Sequence, residues 1–275
     1  MSSETASTKS VSPSPASEAT DFTLLPAIDL RHGAVVRLRQ GDDGRRTRYF
    51  DDPIPVLERF AAAGARWVHA VDLDAAFGEP PQRELVQRMA VAGESLGVSL
   101  ELGGGLRDAA AVRWALDVGC RRAVVGSLLG RDFEAFAAIV EAHPGQVVPG
   151  LDFRNARLAV SGWTETVDVG PAELAQRLRG LPCPAALVTD VARDGELGGP
   201  GLDLAREVGG GSGIPALVSG GVRHLEDLLA ARRTPGVGGA VVGQAIYTAQ
   251  LDLASALSRL AEERLSAGGV AEELS

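Results

Sequence analysis

The chain has 275 residues, of which 45% are hydrophobic, and its formal net charge is −9. This length fits one large α/β domain or two small ones, and the acidic balance argues against a nucleic-acid partner, which needs a basic face. The two cysteines, Cys120 and Cys183, lie far apart without the close spacing of a zinc site. We therefore expect neither a disulfide framework nor a bound metal.

The two ends of the chain differ in composition from the middle. Residues 1–22 are rich in Ser, Thr, Ala and Pro and lack the apolar run of a signal peptide, so a disordered leader is expected there. Residues 23–265 are expected to form the ordered domain, and residues 266–275 a flexible tail. No uncharged apolar stretch reaches the about 18 residues of a membrane span. We therefore expect a soluble, cytoplasmic protein, monomeric and without a membrane partner.

Eight short apolar runs predict β-strands, and the amphipathic segments between them predict helices. Segments 55–64, 109–119 and 225–233 show the helical spacing of apolar residues. A doubly wound sheet usually needs fewer strands, whereas eight βα units in roughly 245 residues have the size of a (β/α)8 barrel. The predicted strands are 24–30, 67–73, 99–105, 122–127, 147–153, 185–191, 215–221 and 239–244.

An internal repeat relates the two halves of the predicted barrel. A strand followed by Asp, any residue and Arg occurs at Asp29 and again at Asp152, and other motifs recur at nearly the same separation. Such uniform offsets predict two four-unit half-barrels joined end to end. The pairs are Asp29 and Asp152 (123 residues apart), Asp72 and Asp190 (118), Gly104 and Gly220 (116), and Gly126 and Gly243 (117).

Asp29 and Asp152 are the candidate catalytic carboxylates. They end predicted strands one and five, and the active site of a barrel lies where the strands end. A carboxylate in this position can instead cap the next helix or pair with an arginine, here Arg31 or Arg154. Because the two aspartates are related by the repeat and would face one cavity, we favour catalysis.

Glycine-rich turns follow predicted strands three, four, seven and eight. Glycine lets backbone amides approach an anion closely, and the loops after strands seven and eight form the common phosphate site of barrels. A glycine pair can also be only a tight turn, but here the whole arrangement is duplicated, which predicts two phosphates at opposite rims. The predicted phosphate-binding residues are Gly104, Gly105, Gly126, Ser127, Gly220, Gly221, Gly243 and Gln244.

These features together indicate a reaction class. A substrate with a phosphate at each end, two acid/base carboxylates, and no metal ligands or dinucleotide motif suggest proton transfer on a phosphosugar without a cofactor. One carboxyl group would protonate a ring oxygen while the other removes a proton from the neighbouring carbon. That describes an aldose–ketose isomerisation.

Eight motifs resemble the HisA family of histidine-biosynthesis barrels, and most closely its PriA-type members. They are LLPAIDL, VVRL, VDLDAAFG, GGLRD, GLD, VTDVARDG, SGGV and VGQAIY, in the family's order over residues 24 to about 262. The resemblance implies a cofactor-free Amadori rearrangement of ProFAR, an intermediate of histidine biosynthesis. For PriA-type members it also implies phosphoribosylanthranilate, an intermediate of tryptophan biosynthesis.

The same resemblance implies roles for three aspartates. It makes Asp29 the proton acceptor and Asp152 the proton donor. Asp194, in the ARDG turn after strand six, falls where PriA-type members place another acid/base carboxylate. Whether Asp152 or Asp194 donates the proton stays open at this point.

Further residues are assigned to substrate binding through the resemblance. Arg37 matches a substrate-contacting arginine and could pair with the anthranilate carboxylate. Trp163 matches a tryptophan in the loop after strand five and could stack on an anthranilate ring, the alternative being loop packing. Thr189 and Asp190 are expected to line the floor, whereas His69 is expected to be a satisfied core histidine.

Four positions depart from the PriA-type pattern. Where PriA-type members have Arg, Ser, Thr and Lys, this chain has Ser161, Gly103, Glu196 and Gln244, respectively. Loss of a cation near the substrate weakens binding of a doubly phosphorylated ligand by about 1.5 to 3 kcal/mol. The leading interpretation is a dual-specificity isomerase, and the alternative is one narrowed to phosphoribosylanthranilate. Two other functions are considered. One is the cyclase partner of the histidine-pathway glutaminase, a related barrel, and the motifs PAIDLRHG and VDLDAAF argue against it. The other is a phosphosugar-binding barrel that has lost catalysis.

Overall fold

The computed structural model describes residues 22–39, 41–160, 162–163 and 165–272, with side chains as far as residue 263 except that of Arg39. Apart from Phe22, the predicted leader lies outside the described residues, as does Ser161. The strands in chain order are β1 (Thr23–Arg31), β2 (Ala34–Arg39), β3 (Asp42–Phe50), β4 (Trp67–Asp72), β5 (Ser99–Gly103), β6 (Arg122–Val125), β7 (Val147–Arg154), β8 (Arg157–Val160), β9 (Glu165–Val167), β10 (Ala186–Asp190), β11 (Ala216–Ser219) and β12 (Val237–Val242).

Eight of these strands form a closed parallel barrel. Their order around the barrel is β1, β4, β5, β6, β7, β10, β11 and β12, and β12 pairs in parallel with β1 to close it. All eight predicted strands are present, which confirms the (β/α)8 fold. Strands such as β1 and β12 are buried along almost their whole length, because helices cover the outer face of a parallel sheet while side chains fill its interior.

Helices alternate with the barrel strands and pack their apolar faces on them. In the first helix, Val56, Leu57 and Phe60 recur at helical spacing and are buried. None of the described helices is both long enough and apolar enough to cross a membrane. The helices are α1 (Ile54–Ala62), α2 (Leu73–Ala76), α3 (Arg83–Leu96), α4 (Ala109–Asp117), α5 (Ser127–Arg131), α6 (Phe133–Ala142), α7 (Pro171–Leu178), α8 (Leu202–Ser212), α9 (Leu225–Arg233), α10 (Gln244–Tyr247) and α11 (Leu253–Glu272).

The end of the chain is more regular than its composition suggests. Helix α11 runs to Glu272 and so includes most of the segment expected to form a tail, residues 266–275. The flexibility of that segment stays a prediction.

Two antiparallel hairpins project from the ends of barrel strands and were not identified from the sequence. The pair β2–β3 follows β1, and the pair β8–β9 follows β7. Strands β1 and β7 are the first strands of the two half-barrels, and they lie opposite each other in the barrel order. The repeat read in the sequence therefore extends to hairpins that share little sequence.

The paired glycines of the two halves adopt matching backbone conformations. The φ angles are 92° and 83° for Gly104 and Gly220, 71° and 84° for Gly105 and Gly221, and −106° and −109° for Gly126 and Gly243. Positive φ angles of this size favour glycine. Gly126 and Gly243 each precede a short helix, α5 and α10. The two half-barrels therefore build the same turns at corresponding places.

Candidate active site

A cavity opens at the carboxyl ends of the barrel strands. All eight barrel strands or the turns directly after them contribute to its wall, as do both hairpins. The structure brings every predicted site residue except Asp190 to this one cavity. They are Asp29, Arg37, Gly104, Gly105, Gly126, Ser127, Asp152, Trp163, Thr189, Asp194, Gly220, Gly221, Gly243 and Gln244.

Arg37 joins two of the three candidate catalytic carboxylates. It lies on β2, which folds back along β1 and so brings it beside Asp29. Its Nη1 donates a hydrogen bond to Asp29 Oδ2 at 3.0 Å, and its Nη2 donates to Asp194 Oδ1. Arg37, which was predicted to bind a substrate carboxylate, thus donates hydrogen bonds to two protein carboxylates. A substrate anion that binds Arg37 would compete with both of them.

Asp152 faces the cavity from β7 without a comparable cation partner among the described residues. Burial raises the pKa of its carboxyl group, and the nearby Asp194 adds to the rise. Hydrogen bonds from the Trp163 indole and the Thr189 hydroxyl act in the opposite direction. Thr189 is the residue next to Asp152 in the β7–β10 register, which explains its reach. The net effect favours the protonated acid, the form that a proton donor needs.

Asp194 is also held in a site that favours its neutral form. Burial raises the pKa of this carboxyl group, the Arg37 charge opposes the rise, and Asp29 adds to it. The cavity therefore holds three carboxyl groups, of which Asp194 interacts electrostatically with each of the other two, and the Arg37 guanidinium joins Asp29 to Asp194. Unequal environments of this kind are how one site obtains both an acid and a base.

Trp163 connects the two hairpins above the cavity. It follows β8 in a left-handed conformation with φ of 70°, and its indole N–H donates to Asp152. Its ring lies on Gly41 of the other hairpin, where a Cβ atom would come within 2.7 Å of Trp163 Cε3. In this structure Trp163 therefore packs on a loop, as the alternative interpretation expected. Stacking of its ring on a substrate ring stays a prediction.

The glycine turns are explained by close backbone packing as well as by anion binding. A Cβ atom on Gly104 would lie 2.2 Å from the Asp72 carbonyl oxygen, and one on Gly221 would lie 2.3 Å from the Gly199 carbonyl oxygen. These turns need glycine whatever they bind. They lie on opposite sides of the mouth, because β5 and β6 are four strands away from β11 and β12 in the barrel order. Their role in phosphate binding stays a prediction.

Asp190 is the predicted site residue that the structure places elsewhere. Among the described residues it is not part of the cavity wall. Its carboxylate accepts hydrogen bonds from Ala192 N at 3.1 Å and Arg193 Nε at 3.0 Å. Its counterpart in the repeat, Asp72, likewise accepts from Ala75 N at 3.1 Å. Both residues stabilise the turn after their strand, so the expectation that Asp190 lines the floor is corrected to a structural role.

His69 lines the cavity, although the sequence suggested only a core position. The expectation that it is satisfied holds, because its Nδ1 lies 2.9 Å from Glu101 Oε1. Glu101 is fully buried and was not singled out from the sequence. Cross-strand register would have revealed the pair, since His69 and Glu101 are direct neighbours on β4 and β5.

Comparison with known proteins places this barrel in a family. Residues 23–252 match the family described as histidine biosynthesis protein. Similar proteins include one from Rhodospirillum rubrum, 40% identical over 87% of this chain and 99% of its own length. Another, from Symbiobacterium thermophilum, is 41% identical over 88% and 98% of the two chains. A third, from Geobacillus thermodenitrificans, is 39% identical over 88% and 98%.

Each of these three relatives is named as an imidazole-4-carboxamide isomerase whose substrate carries one phosphoribosyl and one phosphoribosylamino group. The family match covers most of the chain and includes every barrel strand. The chain therefore belongs to the histidine biosynthesis protein family.

Proposed function

We propose that this protein is a cofactor-independent aldose–ketose isomerase that carries out the Amadori rearrangement of ProFAR, with phosphoribosylanthranilate as a second substrate. The observation that carries the proposal is the meeting of Asp29, Asp152 and Asp194 in one cavity. Duplicated glycine turns flank that cavity on opposite sides. ProFAR is the substrate described in the names of the relatives, and its two phosphate groups match the two sets of turns.

In the proposed reaction, Asp152 donates a proton to the ring oxygen of the ribosyl group. The bond between that oxygen and the anomeric carbon breaks, and the substrate nitrogen supplies electrons to form an iminium ion. Asp29 then removes the proton from the neighbouring carbon, which gives an enolamine. Asp29 returns its proton to the anomeric carbon, and the hydroxyl group on the neighbouring carbon gives its proton to Asp152, which forms the ketose and restores both carboxyl groups. No net proton or electron is consumed, so the cycle needs no cofactor.

Asp152 is a better candidate for the donor than Asp194. Burial raises the pKa of both carboxyl groups, but Asp194 is bound to the Arg37 guanidinium, which opposes the rise by stabilising the anion. The hydrogen bonds that influence the pKa of Asp152 come from two neutral groups, the Trp163 indole and the Thr189 hydroxyl. We therefore infer that Asp194 holds Arg37 in place and that Asp152 gives up the proton.

The choice between the two substrates is inferred from the glycine turns and from the residues that depart from the PriA-type pattern. Both sets of glycine turns are present, which supports a doubly phosphorylated substrate. Of the departures from the PriA-type pattern, Gly103 and Gln244 line the cavity. Gln244 offers an amide where a lysine would offer a cation, which favours the singly phosphorylated phosphoribosylanthranilate. The alternative of an isomerase restricted to that substrate is tested by the same assay.

The test is to measure turnover of the purified protein with ProFAR and with phosphoribosylanthranilate separately. We expect turnover of both, and loss of both in Asp29→Asn but not in Asp51→Asn, which changes an exposed aspartate. Turnover of phosphoribosylanthranilate alone would establish the narrowed alternative, and turnover of ProFAR alone would remove the second substrate. A protein that binds both and converts neither would be the inactive barrel.

A further inference from the structure

Three charged or titratable side chains run in a line from the cavity wall across neighbouring barrel strands. His69, Glu101 and Arg122 occupy directly paired positions on β4, β5 and β6. His69 lines the cavity, whereas Glu101 is 0% exposed and has no part in the cavity wall described. The proposed mechanism does not use Glu101, so its presence in the barrel interior needs an explanation.

Packing alone explains Glu101 poorly. Its Oε2 is buried without a hydrogen-bond partner among the described residues, and the nearest cation atom, Arg122 Nη1, is 3.7 Å away. The Arg122 guanidinium lies over the Trp67 ring at 4.0 Å instead of forming a close fork on the carboxylate. A buried carboxylate with one unsatisfied oxygen is costly, and an apolar residue of the same size would often be more stable. Glu101 therefore has a use that compensates for this cost.

The contact with His69 shows what that use is. Glu101 Oε1 lies 2.9 Å from His69 Nδ1. An ionised carboxylate only accepts hydrogen bonds, so Nδ1 carries the proton and donates it. The opposite nitrogen, Nε2, is then left for the cavity that the ring lines. The second hydrogen bond of a histidine sets both its tautomer and its ring orientation.

The position of the His69 ring links this pair to the catalytic carboxyl groups. A Cβ atom on Gly103 would lie 3.7 Å from His69 Cε1, so the absent side chain leaves that edge of the ring open. The ring and the Asp152 carboxyl group line the same cavity. The ring is therefore a wall element of the same site. We propose that Glu101 is a positioning residue for the isomerisation, which acts by holding the Nδ1 proton of His69 so that Nε2 faces the substrate.

The decisive variant is Glu101→Gln, which keeps the shape of the side chain. Arg122 can only donate, so the glutamine amide oxygen is expected to turn toward it and the amide nitrogen toward His69. Nδ1 must then accept, and the proton moves to Nε2. Nitrogen-15 NMR of the imidazole rings reports this change directly. The chain has four histidines, and the His69 signals are identified by their loss in His69→Gln.

We expect Nδ1 of His69 to be protonated in the wild-type protein and unprotonated in Glu101→Gln. Because this inference rests on the proposed function, turnover of ProFAR is measured alongside. We expect kcat to fall by about 10- to 100-fold with a smaller change in KM, as is typical when the group that orients a functional histidine is altered. Glu94→Gln, which makes the same chemical change at an exposed position of α3, is expected to change neither quantity.

Two results would overturn the inference. One is a wild-type spectrum with the His69 proton on Nε2, which needs no variant and so does not depend on the folding of Glu101→Gln. The other is a Glu101→Gln protein with the tautomer inverted and kcat unchanged. If the wild-type protein turns over neither substrate, the proposed function fails, whereas the tautomer result still decides whether Glu101 positions His69.

Discussion

Arg37 couples the candidate proton acceptor to the second carboxylate of the cavity. Its side chain is mostly buried, and its Nε has no hydrogen-bond partner among the described residues. Among the described residues, only Asp29 and Asp194 therefore accept hydrogen bonds from this guanidinium. Removing it would leave two close carboxylates without their shared counter-charge. Like charges in a buried site favour protonation of one of them, and a protonated Asp29 cannot act as a base.

We expect Arg37→Met to lower kcat/KM for ProFAR by about 10- to 100-fold. This corresponds to the about 1.5 to 3 kcal/mol of a hydrogen bond to a charged group. Steady-state kinetics of both substrates would measure it. Arg48→Met is the matched control, because Arg48 lies in the neighbouring strand of the same hairpin, pairs with Asp51 and is 61% exposed. Equal kinetics in the two variants would contradict a role for the Arg37 contacts.

The raised pKa of Asp152 should make both activity and stability fall as pH rises. Its protonated form is needed in the proposed mechanism, so kcat should fall as pH rises through the pKa of the folded protein. In the unfolded chain this carboxyl group has the ordinary pKa of an aspartate, 3.8. Between that value and the raised one the folded protein binds more protons than the unfolded chain. Stability therefore falls as pH rises through this window.

Asp152→Asn should therefore abolish turnover and increase the free energy of unfolding at neutral pH. The amide cannot ionise, so the decrease in stability above pH 4 should be smaller than in the wild-type protein. Urea unfolding at several pH values measures both effects. Asp117→Asn changes an exposed aspartate of α4 and serves as the control. An Asp152→Asn protein that is less stable than wild type at neutral pH would argue against burial as the cause of the raised pKa.

Sequence reasoning located the candidate catalytic aspartates better than the residues around them. Asp29 and Asp152 could be predicted because they end strands and recur at one offset. The same reasoning misplaced Asp190, which also ends a strand, because the sequence does not show whether a carboxylate turns into the cavity or back to the following turn. Glu101 was missed because its environment depends on the strands paired with β5, and register between strands is not encoded locally.

At the level of elements, the eight barrel strands were predictable and the two hairpins were not. The barrel strands are continuous apolar runs, since both of their faces are buried. Strand β3 has the sequence DDGRRTRYF, and its residues are exposed or partly exposed. An exposed strand of this kind shows no alternation of apolar and polar residues, so it cannot be recognised by periodicity. These unpredicted elements nevertheless carry Arg37 and Trp163.

The contact between the hairpins can be tested at Gly41. Gly41→Ala would place a Cβ atom 2.7 Å from Trp163 Cε3 and should displace the ring from Asp152. We expect kcat/KM to fall by up to about tenfold, which corresponds to the about 0.5 to 1.5 kcal/mol of one hydrogen bond between neutral groups, and tryptophan fluorescence to change. The matched control is Gly33→Ala, because Gly33 has a similar φ of 83° but no atom within 4 Å of the added Cβ. If both variants lose the same activity, left-handed backbone strain and not the Trp163 contact is responsible.

At the scale of the whole molecule, the site is a product of the repeated halves. Each half supplies one hairpin, one aspartate at the end of its first strand and one set of glycine turns. The symmetry is not complete, because Arg37 has no arginine counterpart among the described cavity-lining residues of the second hairpin, where Trp163 lies. In the proposed mechanism, this symmetric frame with different side chains places an acid on one side of the cavity and a base on the other.

The two sets of glycine turns predict two separate phosphate sites of similar affinity. Inorganic phosphate that binds only the folded protein stabilises it by about 1.4 kcal/mol per site at ten times the dissociation constant. Thermal unfolding in increasing phosphate should therefore show twice the stabilisation of a single site. Ser127→Asp and Gln244→Glu place a negative charge beside one set of turns each, and repulsion should remove one site in each variant.

We expect each of these variants to retain about half of the wild-type stabilisation by phosphate, and the double variant to retain none. Gln250→Glu, an exposed position after α10, should behave like the wild-type protein and controls for the added charge. Loss of all stabilisation in one single variant, with none in the other, would mean that only one half-barrel binds phosphate. The second set of turns would then be kept for the close backbone packing at Gly104 or Gly221, and a singly phosphorylated substrate would fit the cavity better than ProFAR.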